Sequence, residues 1–212
     1  MKSMVKGVFQ YRKSKRLAEV EIDGEIVEAY MSNGSEIPFL RPGAVCYLRE
    51  AESETRRTRY DLFSVYDGDT LVCVDAKEPL RIVLDMLKEK YSGEGVFIYE
   101  DTRTSVIFRY RDRKDEGMVQ VMGTSLVKNR VAYLPEIRST ILCDRLNDLL
   151  RLKAIGTDPE LIVVICRDDA DSFEPNAEAD PYFASLLAEV IEAGIPVKTL
   201  RCIVDENGMS PE

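Results

Sequence analysis

LAEVEIDGEIVEAYM, residues 17–31, alternates apolar and charged side chains on both sides of Asp23-Gly24. An extended chain places successive side chains on opposite faces. Asp-Gly between two such runs is a strong signal for a two-residue hairpin. The stretch therefore reads as two short antiparallel strands, each with one face turned to a core. Outward from it, apolar and β-branched runs recur at 4–9, 44–49, 59–66 and 70–74, separated by Asn33-Gly34, Pro42-Gly43 and Asp67-Gly68. Five or six short strands within about 80 residues predict a small closed barrel of the OB type, with half of a β-sandwich as the alternative.

From Pro79 the period lengthens. Leu80, Val83, Leu84, Leu87 and Tyr91 recur at helical steps. Strand-like runs follow at 95–99, 104–110 and 117–122, the last two joined by the polar loop RDRKDEG (111–117). A helix is expected over 136–153, with Ile141, Leu142, Leu146, Leu149 and Leu150 facing a core and Gly156 as its stop. Residues 161–166 are an unbroken apolar run of the kind buried in a parallel sheet. Asp180-Pro181 opens a further helix that Gly194 ends, and 197–204 is the last strand. The order predicts two domains: an OB-like barrel over 1–78 and an α/β domain over 79–212. The tail DENGMSPE (205–212) reads as frayed.

Composition narrows the chemistry. The chain has 212 residues, 45% hydrophobic and 32% charged, and no histidine. Without imidazole there is no Ser-His-Asp triad and no histidine metal site; a metal would need carboxylates, which suit magnesium or manganese. The five cysteines are scattered and form no CxxC pair, so neither a disulfide framework nor a zinc site is indicated. No apolar run is long enough for a membrane span, and the first ten residues lack a signal-peptide core, so a cytoplasmic address is expected. The net charge is −9, but residues 158–212 alone carry 13 acidic and 3 basic side chains. The rest is close to neutral, so a polyanion that avoids the C-terminal quarter could still meet local positive charge.

Three basic runs are candidates for such contact. Arg12, Lys13, Lys15 and Arg16 lie beside Tyr11; Arg56, Arg57 and Arg59 lie beside Tyr60. In OB barrels, loops of this kind line grooves where phosphates meet cations and bases stack on aromatics. Arg109, Arg111, Arg113 and Lys114 alternate with Tyr110 and Asp112, which on a strand would make a cationic stripe. The plain alternative for each is a solvated loop.

Five segments in order resemble the sugar fermentation stimulation protein A (SfsA) family: KSKRLAEVEIDGE (13–25), SNGS (32–35) with RPG (41–43), RRTRYDLFSVYDGDTLVCVDAKEPLR (56–81), SLVKNRVAYLPE (125–136) and FEPNAEADPYFASLLAEVIEAGIPV (173–197). The resemblance implies an N-terminal OB-like domain, a PD-(D/E)xK nuclease-like domain and DNA as a partner. It also implies a cutting site made of Asp on one strand and Glu-x-Lys on the next. This chain reads Phe108 at the Asp position, Gln120 at the Glu position and Met122 at the Lys position. None offers the anionic oxygen that a hard cation prefers. The expectation is a DNA-binding protein with a degenerate, inactive nuclease site and no cofactor. Two alternatives stay open. One is a magnesium or manganese nuclease with ligands moved to Glu100 and Glu136; the other is a non-catalytic scaffold whose apolar face meets a partner or a second copy of the chain.

Overall fold

The computed structural model describes residues 4–34, 36–51, 56–92, 96–102, 105–110 and 116–212, and the side chains at 97, 99–102, 108–110 and 116 lie outside the described set. Strands β1 (Met4–Ser14), β2 (Leu17–Ile22), β3 (Glu25–Tyr30), β4 (Val45–Glu50), β5 (Tyr60–Asp67) and β6 (Thr70–Cys73) pair in the order β3-β2-β1-β4-β5-β6. A short parallel pairing of Ala29 with Tyr60 and Tyr30 with Asp61 joins β3 to β5. That pairing closes five strands into a barrel and disposes of the half-sandwich alternative: this is an OB domain. Alternation sends Phe9, Ala18, Val20, Ala29, Leu48 and Leu62 inward. At Gly7, a Cβ would lie 2.6 Å from Val20 Cγ1 and 3.0 Å from the Glu21 carbonyl oxygen, so the barrel wall needs glycine there. The β2–β3 turn takes Asp23 and Gly24 at φ 51° and 85°. The β5–β6 turn falls one residue later than expected: Asp67 pairs with Thr70, leaving Gly68-Asp69 as its central pair.

The rest of the chain is a mixed α/β domain. Helix α1 (Glu78–Lys90) leads into the antiparallel strands β7 (Val96–Thr102), β8 (Ser105–Tyr110) and β9 (Glu116–Thr124). A small hairpin follows, β10 (Val127–Lys128) and β11 (Val131–Leu134), then α2 (Thr140–Ala154), β12 (Asp158–Ile165), β13 (Ser172–Pro175), α3 (Pro181–Glu192), β14 (Val197–Asp205) and β15 (Gly208–Pro211). The main sheet runs β14-β12-β9-β8-β7, with β12 parallel to both neighbours, as its unbroken apolar run requires. The helix expected from residue 136 begins at Thr140, because Ser139 is its N-cap and accepts the N–H of Leu142. The tail is a strand: Cys202 to Asp205 pair with Pro211 to Gly208, and Asp205 Oδ1 accepts the N–H groups of Asn207 and Gly208. By compactness, Met1–Glu78, Cys166–Asp168 and Cys202–Glu212 form one unit, and Pro79–Ile165 with Asp169–Arg201 form the other.

Candidate nucleic-acid interface and the β8–β9 site

The first basic run occupies the end of β1 and its two-residue turn into β2. Its members behave differently. Lys13 Nζ bridges Glu19 at 3.2 Å and Glu28 at 2.6 Å. Those two carboxylates sit directly opposite each other across β2 and β3, where like charges repel. The hydrogen bond from Lys13 holds the Glu28 carboxyl below its usual range, and Lys13 in turn is raised. Lys13 is therefore a clamp on its own barrel. Arg12 instead donates to the carbonyls of Lys15 at 2.7 Å, Gly34 at 3.1 Å and Ser14 at 3.2 Å, and Arg16 donates to the carbonyl of Ser32. Carbonyls order a guanidinium without cancelling its charge. A Cβ on Gly34 would lie 3.2 Å from Lys15 Cε and 3.4 Å from Arg16 Nε, so this glycine lets the turn pack on the 32–34 segment. Lys15 is exposed and has no carboxylate partner among the described residues.

The second run lies in the β4–β5 connection and is mostly paired. Arg56 meets Asp61 with two bonds of 2.8 and 2.6 Å, and its guanidinium carbon stands 5.2 Å from the Tyr30 ring centroid. Arg59 bonds Glu50 at 2.8 Å and lies over Tyr60. Both arginines are raised by these carboxylates. Arg57 is exposed, with Nε 3.9 Å from Glu28. Arg109 pairs with Glu116 in the backbone register, and its side chain is outside the described set. Arg111, Arg113 and Lys114 lie outside the described residues.

On β9, alternation places Met118, Gln120 and Met122 on one face. Met118 and Met122 join the cluster formed by Leu146, Leu149, Leu161 and Phe183, and Met122 is 1% exposed. Gln120 is 4% exposed, and its Nε2 donates to the Val121 carbonyl at 3.3 Å. The register of β8 corrects the sequence reading. Gln120 pairs with Ser105, Met118 with Ile107 and Gly117 with Phe108. Directly opposed residues share a face, so position 108 is on the other side of the sheet from Gln120. Ser105 and Ile107 are the β8 residues with described side chains that share the face of Gln120 and Met122. The offset brings no carboxylate to this face, since isoleucine has no oxygen and serine only a neutral hydroxyl.

Of the two candidate carboxylates, the Glu100 side chain lies outside the described set and Glu136 is engaged at the end of β9. Position 100 pairs with Val106, which pairs with Val119, so it too is on the opposite face from Gln120. Glu136 accepts the N–H of Ser125 at 2.9 Å and its hydroxyl at 2.6 Å, which ties the end of β9 to the segment after β11. Among the described residues no group of three or more Cys, Asp or Glu side chains is placed to hold a metal ion.

The profile of the sugar fermentation stimulation protein RE domain matches residues 83–208, and that of the SfsA N-terminal OB domain matches residues 12–74. The chain belongs to the sugar fermentation stimulation protein family. A sugar fermentation stimulation protein homolog of Carboxydothermus hydrogenoformans is 29% identical over 213 residues, covering 97% of this chain and 93% of the relative. One from Ruminiclostridium cellulolyticum is 26% identical over 219 residues, with the same coverage. Among solved structures, Pyrococcus furiosus SfsA in complex with Ca2+ matches with a TM-score of 0.87 at 20% identity, over all of this chain and 94% of that one. At that identity the match speaks for the fold. Within the family's two-domain frame, the carbonyl-held Arg12 and Arg16 belong to the OB domain, and the Ile107–Gln120–Met122 face belongs to the RE domain. Among the described residues, no helix is long and apolar enough to cross a membrane.

Proposed function

We propose that this protein binds nucleic acid, DNA in the first instance, through the β1–β2 turn of its OB domain, and that its PD-(D/E)xK nuclease-like sheet does not cut. The supporting observation is that, among the described residues, Arg12 and Arg16 lie against backbone carbonyls beside the exposed Lys15. The first inter-strand loop of an OB barrel is a common contact for oligonucleotides. The β2–β3 face, the other usual contact, carries Glu19, Glu21 and Glu28, so phosphates are expected to meet the turn and avoid that face. The absence of anionic ligands among Ile107, Gln120 and Met122 supports the non-cutting half of the reading. The P. furiosus relative is described in complex with Ca2+; the Gln120 face of this chain offers one amide, one hydroxyl and apolar groups among its described side chains, a poor set for a hard cation. Five buried free thiols fit a reducing compartment such as the cytoplasm.

Fluorescence-anisotropy titrations with duplex and single-stranded DNA test the reading. Affinity should fall linearly on a log–log plot as salt rises, and combined Arg12→Gln, Lys15→Gln and Arg16→Gln should reduce the slope by about 2–3. Lys13→Gln should leave the slope nearly unchanged. No association at low salt would sink the binding half, and manganese-dependent cleavage would sink the other.

A further inference from the structure

A cleft of about 450 Å³ lies between the β2–β3 hairpin and residues 57–60 of the barrel. Its origin is the way β5 meets its neighbours. The parallel pairing of β5 with β3 is confined to Ala29 with Tyr60 and Tyr30 with Asp61. Before Tyr60 the chain follows β4 instead: Glu50 pairs with Tyr60, and the Arg59 carbonyl accepts the N–H of Ala51 at 2.8 Å. The wall between β3 and residues 57–59 therefore parts, and the barrel core reaches the surface there. Tyr60 belongs to that core and Ile22 and Val27 pack against it, so the floor of the cleft is apolar. The rim is charged. At the hairpin end Asp23 and Glu25 are exposed. At the other end stands Arg57, its side chain 81% exposed and its Nε 3.9 Å from Glu28. Glu28 already takes Lys13 at 2.6 Å, and Arg59 is bonded to Glu50 at 2.8 Å, so Arg57 is the cation of this rim most open to a ligand. Glu25 and Glu28 are three residues apart on an extended strand, which separates the two ends by ~10 Å.

We propose that this cleft binds a short zwitterionic peptide, with its ammonium end toward Asp23 and Glu25, its carboxylate toward Arg57, and its apolar side chains on Ile22, Val27 and Tyr60. Barrel mouths are frequent places for small ligands, which rest on an apolar floor while a few polar groups fix their orientation. The separation of charge selects the length. An extended peptide of about three residues spans ~10 Å, whereas the two charged groups of a free amino acid are too close together to meet both ends. The signs select the class. Carboxylates at the hairpin repel a phosphate and attract an ammonium, and a guanidinium meets a carboxylate through two parallel hydrogen bonds. Arg57, of the second basic run, thereby has a role that does not involve nucleic acid.

Isothermal titration calorimetry on the full chain tests this with trivaline, its N-acetylated form, its C-terminal amide and free valine. Trivaline should bind saturably, and blocking either end should weaken it by about ten-fold, the usual worth of a charge-assisted contact. The variants assign each end. In Arg57→Gln the amide and the free acid should bind alike, while acetylation still weakens. In the combined Asp23→Asn and Glu25→Gln variant the acetylated and free amines should bind alike, while the amide is still weaker. All three side chains are exposed, and a fold defect would not separate the two ends in this way. The site stands apart from the β1–β2 turn, so the protein carrying Arg12→Gln, Lys15→Gln and Arg16→Gln should bind trivaline as its parent does, whether or not the parent binds DNA. The proposal is overturned if trivaline gives no saturable heat, if blocked and free peptides bind the parent equally, if free valine binds as well as trivaline, or if the turn variant loses the peptide.

Discussion

The carboxylate of Asp180, the N-cap of α3, accepts the backbone N–H of Ser139, the N-cap of α2, at 3.1 Å. Its other oxygen takes the N–H of Phe183 at 3.2 Å. One side chain thus satisfies donors at the start of two helices that leave such groups without intrahelical partners.

The pH dependence of this arrangement has a definite sign. The Ser139 bond, followed by those from Phe183 and Cys143, holds the Asp180 carboxyl below the usual range. A carboxylate whose folded value is depressed contributes fully above its unfolded value, about 3.9, and that contribution fades as pH falls through the lower folded value. Asp180→Asn should therefore lower stability at neutral pH. The gap to the parent protein should close below about pH 4. Urea unfolding across a pH series measures both; a gap that is constant with pH would refute the assignment.

A second expectation concerns the fully buried Glu78, the first residue of α1. Arg49 of β4 bonds it at 2.9 Å, stands 3.6 Å from Asp75 and stacks over Phe63 at 4.3 Å. Arg49→Met removes the guanidinium and leaves the buried carboxylate, a change that costs about 3–5 kcal/mol in comparable pairs. Adding Glu78→Leu should recover much of that loss, since two apolar groups of similar volume need no charge partner. Chemical denaturation of the single and double variants tests the coupling; a double variant no more stable than Arg49→Met would contradict it.

All five cysteines are buried and free, and burial pushes Cys46 and Cys202 up to about 12, with Cys73 raised well above its ordinary value. The thiolate is the reactive form. In the native protein at about pH 8, a disulfide reagent should therefore label none of them promptly, while all should react after denaturation. One thiol titrating stoichiometrically in the native state would show an opening that the structure lacks.

Much of the architecture was open to reading because local chemistry agreed with the final packing. Asp23-Gly24 takes the positive φ values its turn demands, and Asp180, Pro181 and Gly194 bound α3 as cap, first residue and stop. The features that escaped depend on partners far along the chain. The β10–β11 turn uses Asn129 and Arg130 at φ 52° and 65°, with no glycine to announce it. It is held by Asp171, whose N–H meets the Arg130 carbonyl at 2.7 Å and whose carboxylate takes the guanidinium. Lys13 looked like a phosphate contact because Glu28 becomes its neighbour only once β1, β2 and β3 pair. The Phe108 assignment failed by one residue because strand register, unlike strand existence, is set by cross-strand pairing.

The face that would have to cut can be tested through its packing. Met122 is almost wholly buried among Leu134, Leu146, Leu149, Leu161 and Phe183, and belongs to the core beneath α2 and α3. Met122→Leu keeps the volume and should cost less than about 1.5 kcal/mol. Met122→Lys, which introduces the residue type that the resemblance implies for a cutting site, must bury an ammonium in that cluster or break the packing to hydrate it. It should lower the unfolding midpoint sharply, with the loss easing at alkaline pH as the buried amine deprotonates. Combining it with Gln120→Glu would give the amine a charge partner and regain part of the stability, yet Ile107 would still supply no oxygen. Manganese should therefore neither raise the midpoint of the double variant nor start cleavage. If it did either, the β9 pair alone would be competent to hold a metal, and the proposed inactivity of this face would depend on Gln120 and Met122 alone.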